Sequence, residues 1–163
     1  MAIKADAYGL GAVAVARALE PMDVWGFGIA AVREGEELRA AGIRRPILVF
    51  TPLLPSEFAE VRRLGLTPTL GDPAAIAAWV ESGGGPWHLA IDTGMSRAGI
   101  PWREVGGIAG AVASSPPTGA FTHFHSAERN DGSMDVQQER FRGALEALGT
   151  PIPLLHAENS PGL

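Results

Sequence analysis

The sequence predicts an α/β fold in which parallel strands alternate with helices along the chain. Short β-type runs recur through the 163 residues, and each run except the last is followed by a helical pattern. Strands that alternate with helices pair in parallel, because each helix carries the chain back to the start of the next strand. The 21 glycines and 13 prolines fall at intervals between these elements, which is typical of turns and not of disorder.

Seven runs of apolar and β-branched residues are predicted to form the strands. Each run is short, as the buried strands of a parallel sheet usually are. In chain order they are Ala2-Ile3 and residues 24–30, 46–50, 66–70, 87–92, 119–124 and 152–156.

The helices of the first half begin and end at typical capping residues. A glycine turn after Tyr8 leads into an amphipathic helix, and the charged residues 33–39 are interpreted as the solvated face of the next helix. Ser56 is expected to cap a third helix that ends near Gly65. The apolar face of this third helix consists of Phe58, Val61 and Leu64.

The helices of the second half are predicted in the same way. Asp72 and Pro73 are a typical cap and first helical residue, and Gly149 and Pro151 close the last helix. The residues expected to face inward are Ile76, Trp79 and Val80, then Val105, Ile108 and Val112, and finally Val136, Phe141, Leu145 and Leu148.

The number of units favours a barrel over an open sheet. Seven runs in 163 residues give about 23 residues per unit, close to the ~30 of a βα barrel repeat. A complete eight-unit barrel usually needs at least ~200 residues. We therefore expect an incomplete (β/α)8 TIM-type barrel of about seven β/α units, cut at both ends. A complete flavodoxin-like or Rossmann sheet is the alternative.

Composition excludes several classes of protein. The net charge of −5 argues against nucleic-acid binding, which requires a basic face. Cysteine is absent, which excludes a disulfide scaffold, a cysteine-ligated metal and a thiol nucleophile, and fits a cytoplasmic location. No apolar run approaches the ~18 residues of a membrane span, so no membrane contact is expected.

Two basic residues stand at predicted strand ends, where α/β folds bind their ligands. Lys4 ends the first run, and a lysine amine among apolar residues can act as a nucleophile towards aldehydes. Arg97 follows the fifth run, and its fixed charge suits an anionic oxygen on a ligand. The alternatives are an ordinary surface lysine and an arginine paired with Asp92.

Histidines follow the last two runs. His123 and His125 form an H-x-H pattern that strand alternation would place on one face, where Glu128 could join them on a metal. We favour the interpretation without metal, because no further ligand set is evident. Asn159 and Ser160 follow the seventh run, where a hydroxyl and backbone N–H groups can hold a phosphate.

Four motifs in the same order resemble those of alanine racemases, the pyridoxal-phosphate enzymes of fold type III. They are KADAYGLG at residues 4–11, DTGMSR at 92–97, THF at 122–124 and NS at 159–160. The resemblance covers the whole chain and implies a racemase that interconverts L- and D-alanine. Such an enzyme supplies D-alanine for peptidoglycan.

The resemblance implies a role for each matching residue. Lys4 would be the Schiff-base lysine and one of two catalytic acid/base groups, and Arg97 would bond the phenolic oxygen of pyridoxal phosphate and approach the substrate carboxylate. Tyr8 and Ser160 would contact the cofactor phosphate. His123 would line the pocket beside the ring, and Asn159 would shape the phosphate loop.

The resemblance also implies parts that this sequence lacks. Residues 1–163 would be a partial N-terminal barrel domain without the C-terminal β-domain, whose tyrosine is the second base in the other subunit of a homodimer. Three positions depart from the family pattern. Ala90 replaces a lysine that bonds the arginine, Leu10 replaces a histidine in the glycine turn, and Glu158 replaces an alanine.

Three other interpretations remain open for this chain. A single-domain pyridoxal-phosphate carrier barrel would share the lysine and the phosphate site. A metal-dependent barrel hydrolase would use His123 and His125, although that class usually carries H-x-H on its first strand. A non-catalytic remnant of a racemase is the third. We expect the isolated chain to be inactive.

Overall fold

The structure is a computed structural model that describes residues 1–157. The chain divides into two compact units, Met1–Thr69 and Leu70–Leu163, and each is described separately. Among the described residues, no helix combines the length and the apolar character that crossing a membrane would require. Asn159 and Ser160, predicted to hold a phosphate, lie outside the described residues, as does Glu158.

The first unit is built on parallel strands, as predicted. Strand β1 (Phe27–Ile29) pairs with β2 (Ile47–Val49), and β2 pairs with β3 (Thr67–Leu70). The first predicted run forms only an isolated parallel bridge from Ala2 to Gly28. A Cβ on Gly28 would fall 2.1 Å from the ring of Phe50, so only glycine allows this packing.

Three helices and one unusual turn connect these strands. They are α1 (Lys4–Gly9), α2 (Ala12–Leu19), α3 (Val32–Ala40) and α4 (Phe58–Arg63). Of these, α1 is the left-handed turn that forms part of the site described below. Short 3₁₀ segments occupy Glu20–Met22 and Pro55–Glu57. The core between the helices and the sheet includes Ile29, Leu38, Val49, Phe58 and Val61.

The prediction that residues 33–39 are only a solvated face is wrong for Glu34 and Arg39. The Arg39 guanidinium donates to the carbonyl oxygens of Ile43, Arg45, Leu64 and Gly65 at 2.8–2.9 Å. Burial lowers the pKa of Arg39. The arginine thus ties α3 to the loops before β2 and β3, because its planar fork can reach several carbonyls at once. Arg33, Glu36 and Glu37 are exposed, as predicted.

Ser56 does not cap α4, contrary to the prediction. It lies inside the 3₁₀ segment Pro55–Glu57, which precedes the helix. Pro55 starts the turn earlier because its φ is already fixed in the helical range. The Glu57 carboxylate accepts the N–H of Leu54 at 2.8 Å and so takes the capping role.

The second unit repeats the parallel pattern. Strand β4 (His88–Asp92) pairs with β6 (Gly119–Thr122), which pairs with β7 (Leu155–Ala157). A two-residue strand, β5 (Ile100–Pro101), pairs with β4 and was not predicted. The strands are otherwise found within the predicted runs or, for β7, extend one residue beyond.

Three helices complete the second unit. They are α5 (Pro73–Glu81), α6 (Ala109–Ser114) and α7 (Ser133–Leu148), and a 3₁₀ segment at Val105–Ile108 leads into α6. The predicted cap of α5 is confirmed, since Asp72 accepts the N–H of Ala75 at 2.9 Å. Gly149 ends α7 in the left-handed region, with φ 63°.

Two predicted inward positions are wrong. Val80 in α5 is 41% exposed and Val136 in α7 is 44% exposed. In α7 the buried face consists instead of Gln137, Phe141, Ala144 and Leu148. Phe141 and Leu148 are buried as predicted, whereas Gln137 takes the core position that was predicted for Val136.

Candidate active site

The predicted catalytic lysine stands at the start of a left-handed turn, α1. Ala5, Asp6, Ala7 and Tyr8 have φ values of 51°, 53°, 53° and 57°, which is the mirror image of the ordinary helix. Left-handed backbone costs roughly 1–2 kcal/mol for each residue that carries a Cβ. Four such residues in a row indicate a segment whose geometry is imposed by its surroundings, as is common at functional sites.

Backbone and side-chain hydrogen bonds hold this turn at both ends. The N–H of Ala7 donates to the carbonyl of Ile3 at 2.9 Å, and the N–H of Gly11 donates to the carbonyl of Asp6 at 2.9 Å. The Asp6 carboxylate accepts the N–H of Ala12, the first residue of α2, at 2.6 Å. The Glu34 carboxylate accepts the N–H of Ala5 at 2.6 Å. The turn is therefore rigid without being glycine-rich.

Lys4 and Tyr8, the two predicted site residues of this unit, are available to a ligand. Lys4 is half-buried, and within residues 1–157 its amine makes no hydrogen bond or ion pair. Tyr8 is 66% exposed. A left-handed turn repeats after about 3.6 residues, as its mirror image does, so positions 4 and 8 lie on the same side of it.

Arg97 lies in the loop after β4, as predicted, and this loop is firmly held. The Asp92 carboxylate accepts the N–H groups of Gly94 and Ser96 at 2.9 and 3.0 Å. The Arg97 side chain is exposed. The alternative in which Arg97 pairs with Asp92 is wrong, because no such ion pair occurs in the described part of the chain and the carboxylate binds backbone instead.

Two further contacts, both at Thr93, hold the same loop. The hydroxyls of Thr93 and Thr122 lie 2.7 Å apart, and both side chains are buried. The guanidinium of Arg140, on α7, donates to the carbonyl of Thr93 at 2.8 Å. The loop that leads to Arg97 is therefore held by residues 92–96, and position 90, where the family has lysine, is alanine in this chain.

His123 and His125 do not lie on a strand. Strand β6 ends at Thr122, so the argument from strand alternation does not apply to them. His123 is half-buried. The N–H of His125 donates to the side-chain oxygen of Gln137 at 3.0 Å, and its Nδ1 lies 3.1 Å from the hydroxyl of Ser126. No group of three metal-ligating side chains is found among residues 1–157.

Sequence reasoning missed Gln137, which is fully buried on α7. Its side-chain amide donates to the carbonyls of His125 and Ser133 at 3.1 and 2.9 Å, in addition to accepting the N–H of His125. The loop that carries both histidines is thus fastened to α7 by one side chain. A polar residue at an expected core position of a helix is the signal that could have revealed it.

A second missed feature is a pair of histidines, of which His88 is fully buried and His156 is half-buried. Nδ1 of His88 lies 3.0 Å from Nε2 of His156. Burial is the main cause that lowers the pKa of each to about 4, and the neighbouring His156 contributes to the lowering at His88. Gly119 of the intervening strand makes room, because a Cβ there would fall 2.6 Å from the His88 ring. Both imidazoles are therefore neutral at pH 7.

These features define a class of protein: an α/β fold with parallel strands and a half-buried lysine at the start of a left-handed turn. The family model for the N-terminal domain of alanine racemase matches residues 1–163. The chain belongs to this family.

Curated relatives support the assignment. The chain is 40% identical to the alanine racemase of Synechocystis sp. over 172 residues, covering 97% of this chain and 46% of the relative. It is 35% identical to the alanine racemase of Deinococcus radiodurans, covering 99% of this chain and 46% of that protein. The chain thus spans about half the length of the curated relatives that it matches.

Solved structures confirm the predicted fold class. An alanine racemase of Clostridium difficile 630 aligns with a TM-score of 0.90 at 29% identity, covering 98% of this chain and 48% of that one. The crystal structure of alanine racemase from E. faecalis aligns with a TM-score of 0.89 at 30% identity, covering 98% and 46% of the two chains. The fold is therefore the incomplete (β/α)8 barrel of this family, and the open-sheet alternative is wrong.

Proposed function

We propose that this chain contributes the cofactor-binding part of an alanine racemase, an isomerase that interconverts L- and D-alanine and supplies D-alanine for peptidoglycan. Residues 1–163 would be part of its N-terminal barrel domain, and a C-terminal β-domain would complete the enzyme. The observation that carries the proposal is Lys4, a half-buried residue whose amine makes no hydrogen bond or ion pair within residues 1–157 and which stands at the start of a left-handed turn.

The chemistry of the predicted site residues suits pyridoxal phosphate. The Lys4 amine suits the aldehyde, the exposed Tyr8 phenol suits the phosphate, and the Arg97 guanidinium suits the phenolic oxygen and the substrate carboxylate. His123 would line the cofactor pocket. Asn159 and Ser160, outside the described residues, would complete the phosphate site.

Racemisation requires one group to remove a proton from the substrate Cα and another to return a proton on the opposite face. Pyridoxal phosphate, when bound, spreads the negative charge that develops at Cα. Lys4 Nζ would move the proton on one face. Tyr8 is the only tyrosine of the chain and lies on the same turn as Lys4. In the family to which this chain belongs, the resemblance implies that the group for the other face is a tyrosine of the C-terminal domain of a second subunit. We therefore propose a homodimer, located in the cytoplasm, that acts on alanine.

Lys4 is the only lysine of the chain, so an adduct on a lysine side chain can only be on Lys4. After incubation with pyridoxal phosphate and reduction with borohydride, we expect a pyridoxyl group on the peptide that contains Lys4. The competing amine is that of Met1, which donates to the carbonyl of Gly26 at 2.9 Å and whose pKa is lowered by burial.

The matched control is Lys4→Arg, which keeps the positive charge and removes the amine that condenses with aldehydes. Peptide mapping by mass spectrometry should show the adduct lost in this variant. An adduct confined to the Met1 amine, or equal labelling of the unsubstituted chain and Lys4→Arg, would refute the role of Lys4.

A further inference from the structure

We propose that Glu34 is a positioning residue for Lys4, because its carboxylate fixes the start of the left-handed turn from outside. The proposal rests on the proposed function in one respect, that Lys4 is the residue that binds the cofactor. Oε1 of Glu34 accepts the N–H of Ala5 at 2.6 Å. Oε2 accepts the N–H groups of Ala30 and Ala31 at 2.7 and 3.0 Å.

Ala5 differs from the later residues of the turn because its N–H is bound by a side chain from outside the turn. It directly follows Lys4 and is the first of the four left-handed residues. The later residues of the turn are held by bonds to its own neighbours, from Ala7 to Ile3 and from Gly11 to Asp6. The N–H of Ala5 finds its acceptor at Glu34, 29 residues further along the chain.

The charge of Glu34 suits this task. Hydrogen bonds from N–H groups to an ionised carboxylate are shorter and about twice as strong as those between neutral groups. One carboxylate here gathers three N–H groups, one from the Lys4 turn and two from the loop between β1 and α3. Its neighbours on α3 behave differently, since Glu36 and Glu37 are exposed and pair with Arg63 and Arg33.

A simpler role must be separated from this one. Glu34 is the third residue of α3, and a glutamate there commonly accepts the N–H of the capping residue, which here is Ala31. Glutamine serves the same capping role. In Glu34→Gln the side-chain carbonyl can still accept from Ala30 and Ala31, but the amide NH₂ then faces the N–H of Ala5, donor against donor. This substitution therefore removes the contact to the turn and leaves the cap.

The experiment compares the full chain with Glu34→Gln and Glu34→Ala, and uses Glu37→Gln and Glu37→Ala as matched controls on the same helix. Three quantities are measured: the rate of borohydride-trapped attachment of pyridoxal phosphate to Lys4, amide hydrogen exchange at Ala5, Ala30 and Ala31, and the urea midpoint of unfolding. The exchange measurement is made without cofactor.

We expect both Glu34 variants to attach pyridoxal phosphate to Lys4 at least about tenfold more slowly, and Ala5 to exchange faster in both. In Glu34→Gln the protection of Ala30 and Ala31 and the urea midpoint should stay close to those of the unsubstituted chain. The Glu37 variants should change none of these quantities.

Two results would overturn the proposal. In the first, Glu34→Gln leaves Ala5 exchange and Lys4 attachment unchanged. In the second, Glu34→Gln slows attachment, but it also lowers the urea midpoint and makes Ala30 and Ala31 exchange faster. Glu34 would then act only as a cap of α3. If the unsubstituted chain itself forms no adduct at Lys4, the proposed function fails, and Ala5 exchange still decides whether Glu34 holds the turn.

Discussion

At the scale of single residues, the polar side chains that hold loops in place were the hardest to predict. Gln137 is buried next to Val136, which the helical pattern placed inward instead, and Glu34 and Arg39 belong to a segment that was interpreted as a solvated face. The residue type shows that these side chains can form hydrogen bonds. It does not show which backbone groups lie near them, since those groups come from distant parts of the chain.

Gln137 offers a direct measure of what such a contact contributes. Gln137→Ala removes three hydrogen bonds to the backbone of His125 and Ser133 inside a buried site. We expect the free energy of unfolding to fall by roughly 2–4 kcal/mol, since buried groups left unpaired cost about 1–3 kcal/mol each and part of the loss is relieved by water. Urea denaturation measures this, with the exposed neighbour Gln138→Ala as the control. A loss no larger than that of the control would contradict the assigned contacts.

At the scale of elements, the strands and their order along the chain were predictable because short apolar runs between turn residues have few other solutions in an α/β chain. The ends of the elements were less predictable. Ser56 has the residue type of a cap, yet Pro55 begins the turn before it. The two-residue β5 was missed because two residues carry no periodic pattern. Conversely, Asp72 was a reliable cap because Pro73 follows it.

The two histidines on the strands that flank β6 predict a pH dependence of the free energy of unfolding. His88 on β4 and His156 on β7 titrate near 4 in the folded chain, against 6.5 for an ordinary histidine. The unfolded chain therefore binds protons at a pH where the folded chain does not. The stability contributed by the neutral pair is complete above about pH 6.5 and is lost as the pH falls towards 4, with a slope of at most about 1.4 kcal/mol per pH unit for each histidine.

Urea unfolding at several pH values, together with an NMR titration of the two imidazoles, measures this effect. His156→Gln should show a shallower dependence between pH 6.5 and 4, because one titrating group is gone. Imidazole signals of His88 and His156 that titrate near 6.5 would show that the pair is not buried as described.

At the scale of the whole molecule, the family was predictable because four motifs occur in the same order from residue 4 to residue 160. The left-handed backbone of Ala5 to Tyr8, within the first of these motifs, could not be predicted from the sequence. Alanine and tyrosine rarely adopt positive φ, so the residue types predict positive φ only at Gly9 and Gly11 and not at the residues before them.

Catalysis by this chain alone is the prediction that tests the molecule as a whole. Lys4 is the single acid/base group that we assign to the substrate Cα, and a missing general acid/base typically costs about 10²–10⁴-fold in rate. We therefore expect the purified chain, incubated with L-alanine and pyridoxal phosphate, to form no more D-alanine than the cofactor alone. Chromatographic resolution of the enantiomers measures this. D-alanine well above the cofactor control, and absent with Lys4→Arg, would mean that a second group of the chain serves the opposite face.

The Lys4 turn has a consequence for chemical synthesis of this protein. Its backbone has the handedness that D-amino acids prefer, so Ala5, which is exposed, is a position where the mirror-image residue fits the local backbone better than the natural one. Ala7 is buried, and there a Cβ of the opposite configuration would have to enter a different part of the core. The four residues that follow the lysine are therefore L-residues held in a backbone of left-handed geometry by the chain on either side of them.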